Sequence, residues 1–179
     1  MRTTPDEARS VLRAQLGDRE ALEAVLRSVQ SPLRRFVSRI VGATEADDVL
    51  QNTLIIIARK LNWLEEPRLF RAWAFRIASR AAFDLLKKQR RLPIHDSDDT
   101  VLQAIAAPAT PSSDQALAEL LNSERISPAS RAVLALHFQE EMPLAEVAAI
   151  LDVPLGTVKS RLAYGLKALR QLLGDKRSL

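Results

Sequence analysis

Apolar residues recur at three- and four-residue steps through most of this chain, which is the spacing of amphipathic helices. No window alternates apolar and polar residues for long enough to predict a strand. The helices predicted from this spacing cover residues 6–16, 19–41, 44–62, 67–88, 113–122, 127–139, 142–151 and 156–173. The sequence therefore predicts an all-α fold.

Two positions in the first half of the chain affect where these helices begin and end. Pro32 lies inside a long apolar run, and because proline lacks an N–H and clashes with the preceding turn, we expect a kink or break near Ser31. Thr44 is followed three positions later by Asp47, the spacing of a capping box with aspartate in the usual glutamate place. We therefore expect Thr44 to cap the next helix.

The last two predicted helices form a helix-turn-helix pattern. Asp152-Val153-Pro154 ends the first helix, since proline cannot continue it, and the second begins near Gly156-Thr157. The apolar face of the second helix carries Val158, Leu162, Leu169 and Leu172, and its polar face carries Lys159, Ser160, Arg161, Tyr164, Lys167 and Arg170. These polar side chains suit the major groove of DNA, although a solvated helix face would have the same composition.

A change in composition separates two parts of the chain. Residues 92–113 contain three prolines and the acidic run from Asp96 to Asp99, which is typical of a linker. We therefore expect two small helical domains, an N-terminal bundle over 1–91 and a helix-turn-helix domain over 114–179. A flexible linker, 92–113, is expected to join them.

Charge is distributed unevenly around a net value of +4. Residues 68–91 hold eight lysines and arginines but only one acidic residue, Asp84. The cations are Arg68, Arg71, Arg76, Arg80, Lys87, Lys88, Arg90 and Arg91. A block of this kind predicts binding to a polyanion such as nucleic acid.

The sequence lacks the residue patterns typical of an enzyme active site. The chain has no cysteine and two histidines, one in the predicted linker and His137 on a helix, where we expect a structural role. It has no glycine-rich phosphate loop, so we expect no catalysis, no cofactor, no metal site and no small-molecule substrate. No apolar run approaches the roughly 20 residues that a membrane span requires, and no signal peptide is recognisable, so we expect a cytoplasmic protein that does not insert into membranes.

The helix-turn-helix carries a family resemblance. The run Gly156-Thr157-Val158-Lys159-Ser160-Arg161 is similar to the −35-reading domain of bacterial extracytoplasmic-function sigma factors, whose pattern carries the same Gly-Thr-Val-Lys-Ser-Arg. The resemblance implies DNA contacts by Thr157, Lys159, Ser160, Arg161, Tyr164 and Lys167. Tyr164 stands where the family often has arginine, and Gly165 costs about 1 kcal/mol of helix propensity relative to alanine. We expect an unusual −35 preference.

The N-terminal half resembles the same family in a second motif. Glu45 to Leu54 is similar to the segment that docks on the clamp helices of core RNA polymerase, with Asn52 in the usual glutamate place and Leu54 where phenylalanine is common. The resemblance implies docking by Asp47, Asp48, Gln51, Asn52 and Ile55. From the residues alone, this face is either a docking surface or a solvated one, but three successive isoleucines from Ile55 cannot all point inward.

A third motif, Phe70 to Ala78, resembles the family segment that contacts and melts the −10 promoter element. The residues implied are Trp63, Arg68, Arg71, Trp73, Arg76, Arg80, Lys87, Lys88, Arg90 and Arg91. Trp63 lies in the loop that, in the family, captures a flipped −10 base. Trp73 falls on the apolar stripe, which favours a place in the core over base stacking. Arg80 replaces the usual asparagine of the family.

Taken together, the chain is identified as a member of the extracytoplasmic-function class of the sigma-70 family. The resemblance implies a factor that directs promoter-specific transcription initiation in response to stress or another signal. Its implied partners are core RNA polymerase, promoter DNA and an anti-sigma factor. The alternative is a stand-alone helix-turn-helix regulator, which needs no polymerase and binds duplex operators by itself.

Overall fold

The computed structural model describes residues 3–91, 123 and 125–177, and in this part of the chain all regular structure is helical. The helices are α1 (Pro5–Gln15), α2 (Arg19–Val41), α3 (Ala43–Lys60), α4 (Phe70–Arg91), α5 (Pro128–Leu134), α6 (Leu144–Leu151) and α7 (Leu155–Arg177). The all-α prediction is confirmed. The predicted linker at 92–113 and the predicted helix at 113–122 lie outside the described residues.

Side-chain caps begin the helices where the sequence carries short polar residues. The Thr4 hydroxyl accepts a hydrogen bond from the Glu7 N–H at the start of α1, and the Asp18 carboxylate accepts one from the Ala21 N–H at the start of α2. Ser127 accepts one from the Ser130 N–H at the start of α5. Each bond satisfies a backbone donor that has no partner within its own helix.

Of the kink or break expected near Ser31, the break is wrong, because α2 runs without interruption from Arg19 to Val41. Pro32 is itself buried, and buried apolar residues precede and follow it along the same stripe, such as Val29 and Leu33. The packing of that stripe outweighs the single intrahelical hydrogen bond that the proline removes.

The expected cap at Thr44 is also wrong. Gly42 ends α2 with a positive φ of 91° and is itself the residue preceding α3, which starts at Ala43 without a side-chain cap. Asp47 is engaged elsewhere, since Arg34 donates to its two carboxylate oxygens at 2.7 and 3.0 Å. The turn between α2 and α3 is therefore a single glycine, which leaves no room for a capping box.

Two further helix boundaries differ from the prediction. The helix expected from residue 67 opens with a 3-10 turn, Pro67–Leu69, before α4 begins. The helix expected over 127–139 is α5 followed by one π turn, Ala135–Gln139. His137 lies in that turn, where its Nδ1 is 2.8 Å from the carbonyl oxygen of Met142, in agreement with the expected structural role.

One buried apolar cluster runs through both halves of the chain. It includes Phe36 and Phe75, whose rings meet edge to face with centroids 5.3 Å apart, and it continues into Leu136 and Val147 of the C-terminal helices. Helix α2 packs against α5, and α4 packs against α6. The described N-terminal and C-terminal helices thus share a core in this arrangement.

Candidate nucleic-acid interface

The helix-turn-helix is present as predicted, formed by α6 and α7. Asp152 adopts the left-handed conformation (φ 56°, ψ 48°) at the end of α6, and the Val153 N–H donates back to the Ala148 carbonyl at 3.2 Å. The Pro154 carbonyl then accepts from Thr157 and Val158 as α7 begins. Because Val158 is buried, the rotation of α7 about its axis is fixed.

That rotation exposes most of the predicted −35 residues. Lys159, Ser160, Tyr164 and Lys167 are exposed, Tyr164 by 72%, while Thr157 and Arg161 are half-buried. The Ser160 hydroxyl donates to the Gly156 carbonyl within the helix at 2.9 Å. The predicted residues therefore lie along one helix, with its bulky and cationic members available to a groove.

Gly165 lies on the opposite, packed face of α7, where the sequence alone indicated only a helix-propensity cost. A Cβ atom added there would be 2.7 Å from Leu134 Cδ1 and 3.4 Å from Ser130 Cβ. Leu134 is buried in a small cluster with Ile126 and Leu169. The missing side chain therefore permits α7 to approach α5 closely.

The loop between α3 and α4 exposes Trp63 as expected. The 3-10 turn Leu61–Trp63 leaves the Trp63 side chain 73% exposed, and Lys60 Nζ lies 5.5 Å from the ring centroid. Trp73 is half-buried against the main cluster, with its ring centroid 6.4 Å from that of Phe70. Trp73 thus contributes to the core while keeping part of its surface accessible.

A cleft of about 630 Å³ between α3 and α4 brings together residues from two of the predicted sets. Asp48 and Asn52 come from the predicted docking set, and Trp63, Trp73, Arg80 and Lys88 come from the predicted −10 set. Glu45 and Asp84 also line the cleft, so its walls combine two tryptophans with charges of both signs. The tryptophans offer stacking surfaces of the kind that hold single-stranded bases. The local sequence patterns did not indicate that α3 contributes to it.

The cations of α4 have different environments. Lys87 and Lys88 are exposed, as is Arg68 in the 3-10 turn before the helix, and Arg90 and Arg91 lie in its last turn. Arg71 is buried instead: its Nε donates to Glu7 at 2.7 Å, and both side chains are only 8% exposed. In this conformation Arg71 is not available to a phosphate, which the local pattern of alternating cations and apolar residues could not reveal.

Two other cations of α4 reach the C-terminal half. Arg76 and Arg80 lie 3.7 and 3.3 Å from the carboxylate of Asp152, in the turn of the helix-turn-helix. A second ion pair joins the two halves, since Arg35 of α2 lies 3.7 Å from the buried carboxylate of Glu140. Burial raises the pKa of Glu140. Neither contact could be predicted from a local pattern, because each joins side chains more than 70 residues apart in sequence.

The predicted docking residues lie on the exposed side of α3, where Asp48 and Asn52 also border the cleft with α4. Asp48, Gln51 and Asn52 are exposed, and Ile55 is partly exposed while Ile57 is buried. The fifth residue, Asp47, is also exposed, and its hydrogen bonds from Arg34 lower its pKa. A short row of polar groups beside an accessible isoleucine is therefore present at this surface.

Within the described part of the chain, no helix combines the length and apolarity that a bilayer crossing requires. Nor do the described residues group three or more histidine, cysteine, aspartate or glutamate side chains in a way that could hold a metal ion.

An exposed basic helix in a helix-turn-helix, joined to a second basic helix beside an aromatic cleft, defines a DNA-binding transcription protein. The family models define the class further. The model for Sigma-70 region 2 matches residues 25–92, and that for Sigma-70, region 4 matches residues 124–171. The chain belongs to the sigma-70 family, as an extracytoplasmic-function (ECF) sigma factor.

Similar proteins are matched over nearly their whole length. The ECF RNA polymerase sigma factor SigW of Bacillus subtilis is 27% identical over 174 residues, covering 89% of this chain and 92% of SigW. The RNA polymerase sigma factor CarQ of Myxococcus xanthus is 29% identical over 163 residues, with the same two coverages.

Solved structures resemble the fold of this chain. The sigma factor RpoE of Bartonella quintana, crystallised with the anti-sigma factor NepR, has a TM-score of 0.69 and 26% identity, and the match covers 85% of this chain and 96% of RpoE. CnrH, solved in complex with the cytosolic domain of CnrY, has a TM-score of 0.67 at 22% identity, covering 94% of this chain and 97% of CnrH. The likeness to CnrH is one of fold.

Proposed function

We propose that this sigma factor divides promoter recognition between its two halves while it is mounted on core RNA polymerase. In this proposal the exposed side of α3 docks on the clamp helices, α4 and the Trp63 loop bind the −10 element, and the exposed face of α7 reads the −35 element. The observation that carries it is the pair of exposed surfaces, the α3–α4 cleft with Trp63, Arg80 and Lys88 and the face of α7 with Lys159, Tyr164 and Lys167. The corresponding domains are 1–91 and 114–179.

Promoter geometry requires the two halves to separate. Elements centred near −35 and −10 are about 25 base pairs apart, or roughly 85 Å of B-DNA at 3.4 Å per base pair. A compact chain of this length has a radius of gyration of only about 16 Å. In the arrangement described above, α4 packs against α6 and Arg80 is tied to Asp152. This closed arrangement cannot reach both elements, so we propose that docking on the polymerase opens it.

The decisive experiment is transcription in vitro with purified core polymerase on a genomic library, followed by sequencing of the start sites. We expect specific starts only when the chain is present, with shared sequences upstream near −35 and −10. A gel-shift series without polymerase tests the alternative. Tight, specific binding of duplex DNA by the free chain, combined with no loading onto core polymerase, identifies a stand-alone regulator and contradicts the proposal.

An anti-sigma factor is the proposed regulator. RpoE of Bartonella quintana was crystallised with such a protein, and the likeness in fold and sequence supports a similar partner here. We expect a protein that copurifies with the chain from unstressed cells, in the cytoplasm where the polymerase resides, and that blocks loading onto core polymerase. Recovery of the chain from those cells wholly bound to polymerase contradicts this part of the proposal.

A further inference from the structure

Helix α1 precedes the region that the family models match, which begins at residue 25, yet it contacts both ends of the loop that carries Trp63. At one end, the side-chain amide of Gln15 donates to the carbonyl oxygen of Leu61 at 2.9 Å and to that of Leu64 at 2.8 Å. An amide nitrogen carries two hydrogens, so both donors of Gln15 are used. These two carbonyls stand on either side of Trp63 in the chain.

The Gln15 contacts add polar restraints to a stretch of backbone that is otherwise held by the burial of Leu61 and Leu64. The carbonyls at the end of a helix lack intrahelical donors, and those of α3 lie next to this turn. The 3-10 turn Leu61–Trp63 has no side-chain cap, and its own closing bond runs from the Leu64 N–H to the Leu61 carbonyl at 3.1 Å. Leu61 and Leu64 are buried, whereas Trp63 between them projects into solvent. The direction of the Trp63 ring therefore depends on the backbone that Gln15 holds.

At the other end of the loop, α1 holds the start of α4. Glu7 accepts from Arg71 Nε at 2.7 Å, and its second carboxylate oxygen accepts from the Ser28 hydroxyl at 2.8 Å. The Thr3 hydroxyl oxygen accepts from the Arg71 backbone N–H at 3.2 Å. A buried, hydrogen-bonded ion pair of this kind fixes geometry even where its net stabilisation is small.

We propose that α1 is a strut for the Trp63 loop, and that Gln15 is a positioning residue for capture of the −10 base. Glu7 and Gln15 are eight residues apart, about 12 Å along a helix, so one rigid element spans the loop. Gln15 does not touch DNA and acts through the backbone on each side of Trp63. This inference rests on the proposed function, in which the Trp63 loop binds the opened −10 strand.

The test measures base discrimination by the holoenzyme rather than overall affinity. The probes are single-stranded oligonucleotides covering the −10 element of a mapped promoter, each with one base changed. Gln15→Met keeps the side-chain length but removes both donors, and Gln30→Met makes the same change at an exposed site on α2. Since two hydrogen bonds are lost, we expect Gln15→Met to reduce discrimination at one position by about threefold to tenfold. Gln30→Met should leave it unchanged.

Further readouts separate positioning from general destabilisation. Gln15→Lys, whose ammonium group donates to the same carbonyls, should restore most of the discrimination. In a Trp73→Phe background, acrylamide should quench Trp63 emission differently once Gln15 is replaced by methionine. A uniform loss of affinity for every oligonucleotide, or unaltered discrimination in Gln15→Met, overturns the inference. Absence of discrimination in the wild-type holoenzyme instead contradicts the proposed function.

Discussion

The closed arrangement predicts that Asp152→Asn shifts the chain toward separated halves. Asparagine tolerates the left-handed backbone that Asp152 adopts, so the turn should be retained while the charge facing Arg76 and Arg80 is removed. All three side chains are substantially exposed, which limits the strength of the interaction. Exposed ion pairs contribute roughly 0.2–1 kcal/mol each, so the two together contribute about 0.5–2 kcal/mol.

This magnitude converts into a measurable change in populations. A difference of about 0.5–2 kcal/mol raises the ratio of open to closed molecules by about twofold to thirtyfold. The effect should shrink as salt concentration rises, because exposed charges are screened. Wild-type chains should open with added salt more than the variant does, since the variant has already lost the screened interaction.

The chain suits single-molecule energy transfer because its sequence contains no cysteine. Dyes attached through Glu23→Cys on α2 and Gln171→Cys on α7, both exposed positions, report the distance between the halves. The matched control is Asp6→Asn, which removes an exposed ion pair to Arg9 within α1 itself. Equal populations in wild type and Asp152→Asn, or the same shift in Asp6→Asn, would refute the reasoning.

Three further predictions follow from single side chains. Gly165→Ala should lower the melting temperature, because the clash at 2.7 Å outweighs the gain of about 1 kcal/mol in helix propensity, while Gly156→Ala, which meets no atom within 4 Å, should not. Lys159→Ala should weaken holoenzyme binding to all −35 sequences similarly and reduce the salt dependence by about one ion. Burial raises the pKa of Glu140, so folding favours the protonated carboxyl group, and the stability gained from it at low pH is lost as pH rises through the raised pKa. Glu140→Gln should flatten this part of the plot of stability against pH.

Each of these predictions has a distinct contrary result. Equal melting temperatures for the two alanine variants would mean that α5 and α7 are not in close contact. A loss of binding confined to one −35 sequence would give Lys159 a base contact rather than a phosphate contact. A profile for Glu140→Gln parallel to that of wild type, measured by urea unfolding from acid to neutral pH, would remove Glu140 as the titrating group.

The helices and the helix-turn-helix could be predicted from the sequence because they follow from local periodicity and from Pro154. The exposure of Tyr164 could be predicted from its place on the polar face of the last helix, and that of Trp63 from its place in a loop between two helices. Errors arose where distant packing outweighed a local signal. Pro32 does not break α2, because buried neighbours on both sides hold the helix together.

Other features depend on pairs that are remote in sequence. The buried position of Arg71 depends on Glu7, 64 residues earlier, and no local pattern indicates such a partner. From the sequence, Gly165 is only a loss of helix propensity in α7. The contact that requires a glycine there is with Leu134, which lies on another helix. Asp47 has the spacing of a capping residue, but its carboxylate is held by Arg34 from α2. Tertiary contacts of this kind decide what each side chain does.

The apolar cluster shared by both halves has a consequence for how the factor is used in the cell. Separation of the halves exposes apolar surface to water, including Leu136 and Val147. Such exposure is unfavourable unless another protein covers the surface. A free chain with its halves separated is therefore unfavourable. We expect most molecules to be either closed, with the two halves covering each other, or bound to a larger protein assembly. Promoter binding then depends first on whether another protein replaces one half of the chain on the apolar surface of the other, and DNA binds only after that exchange.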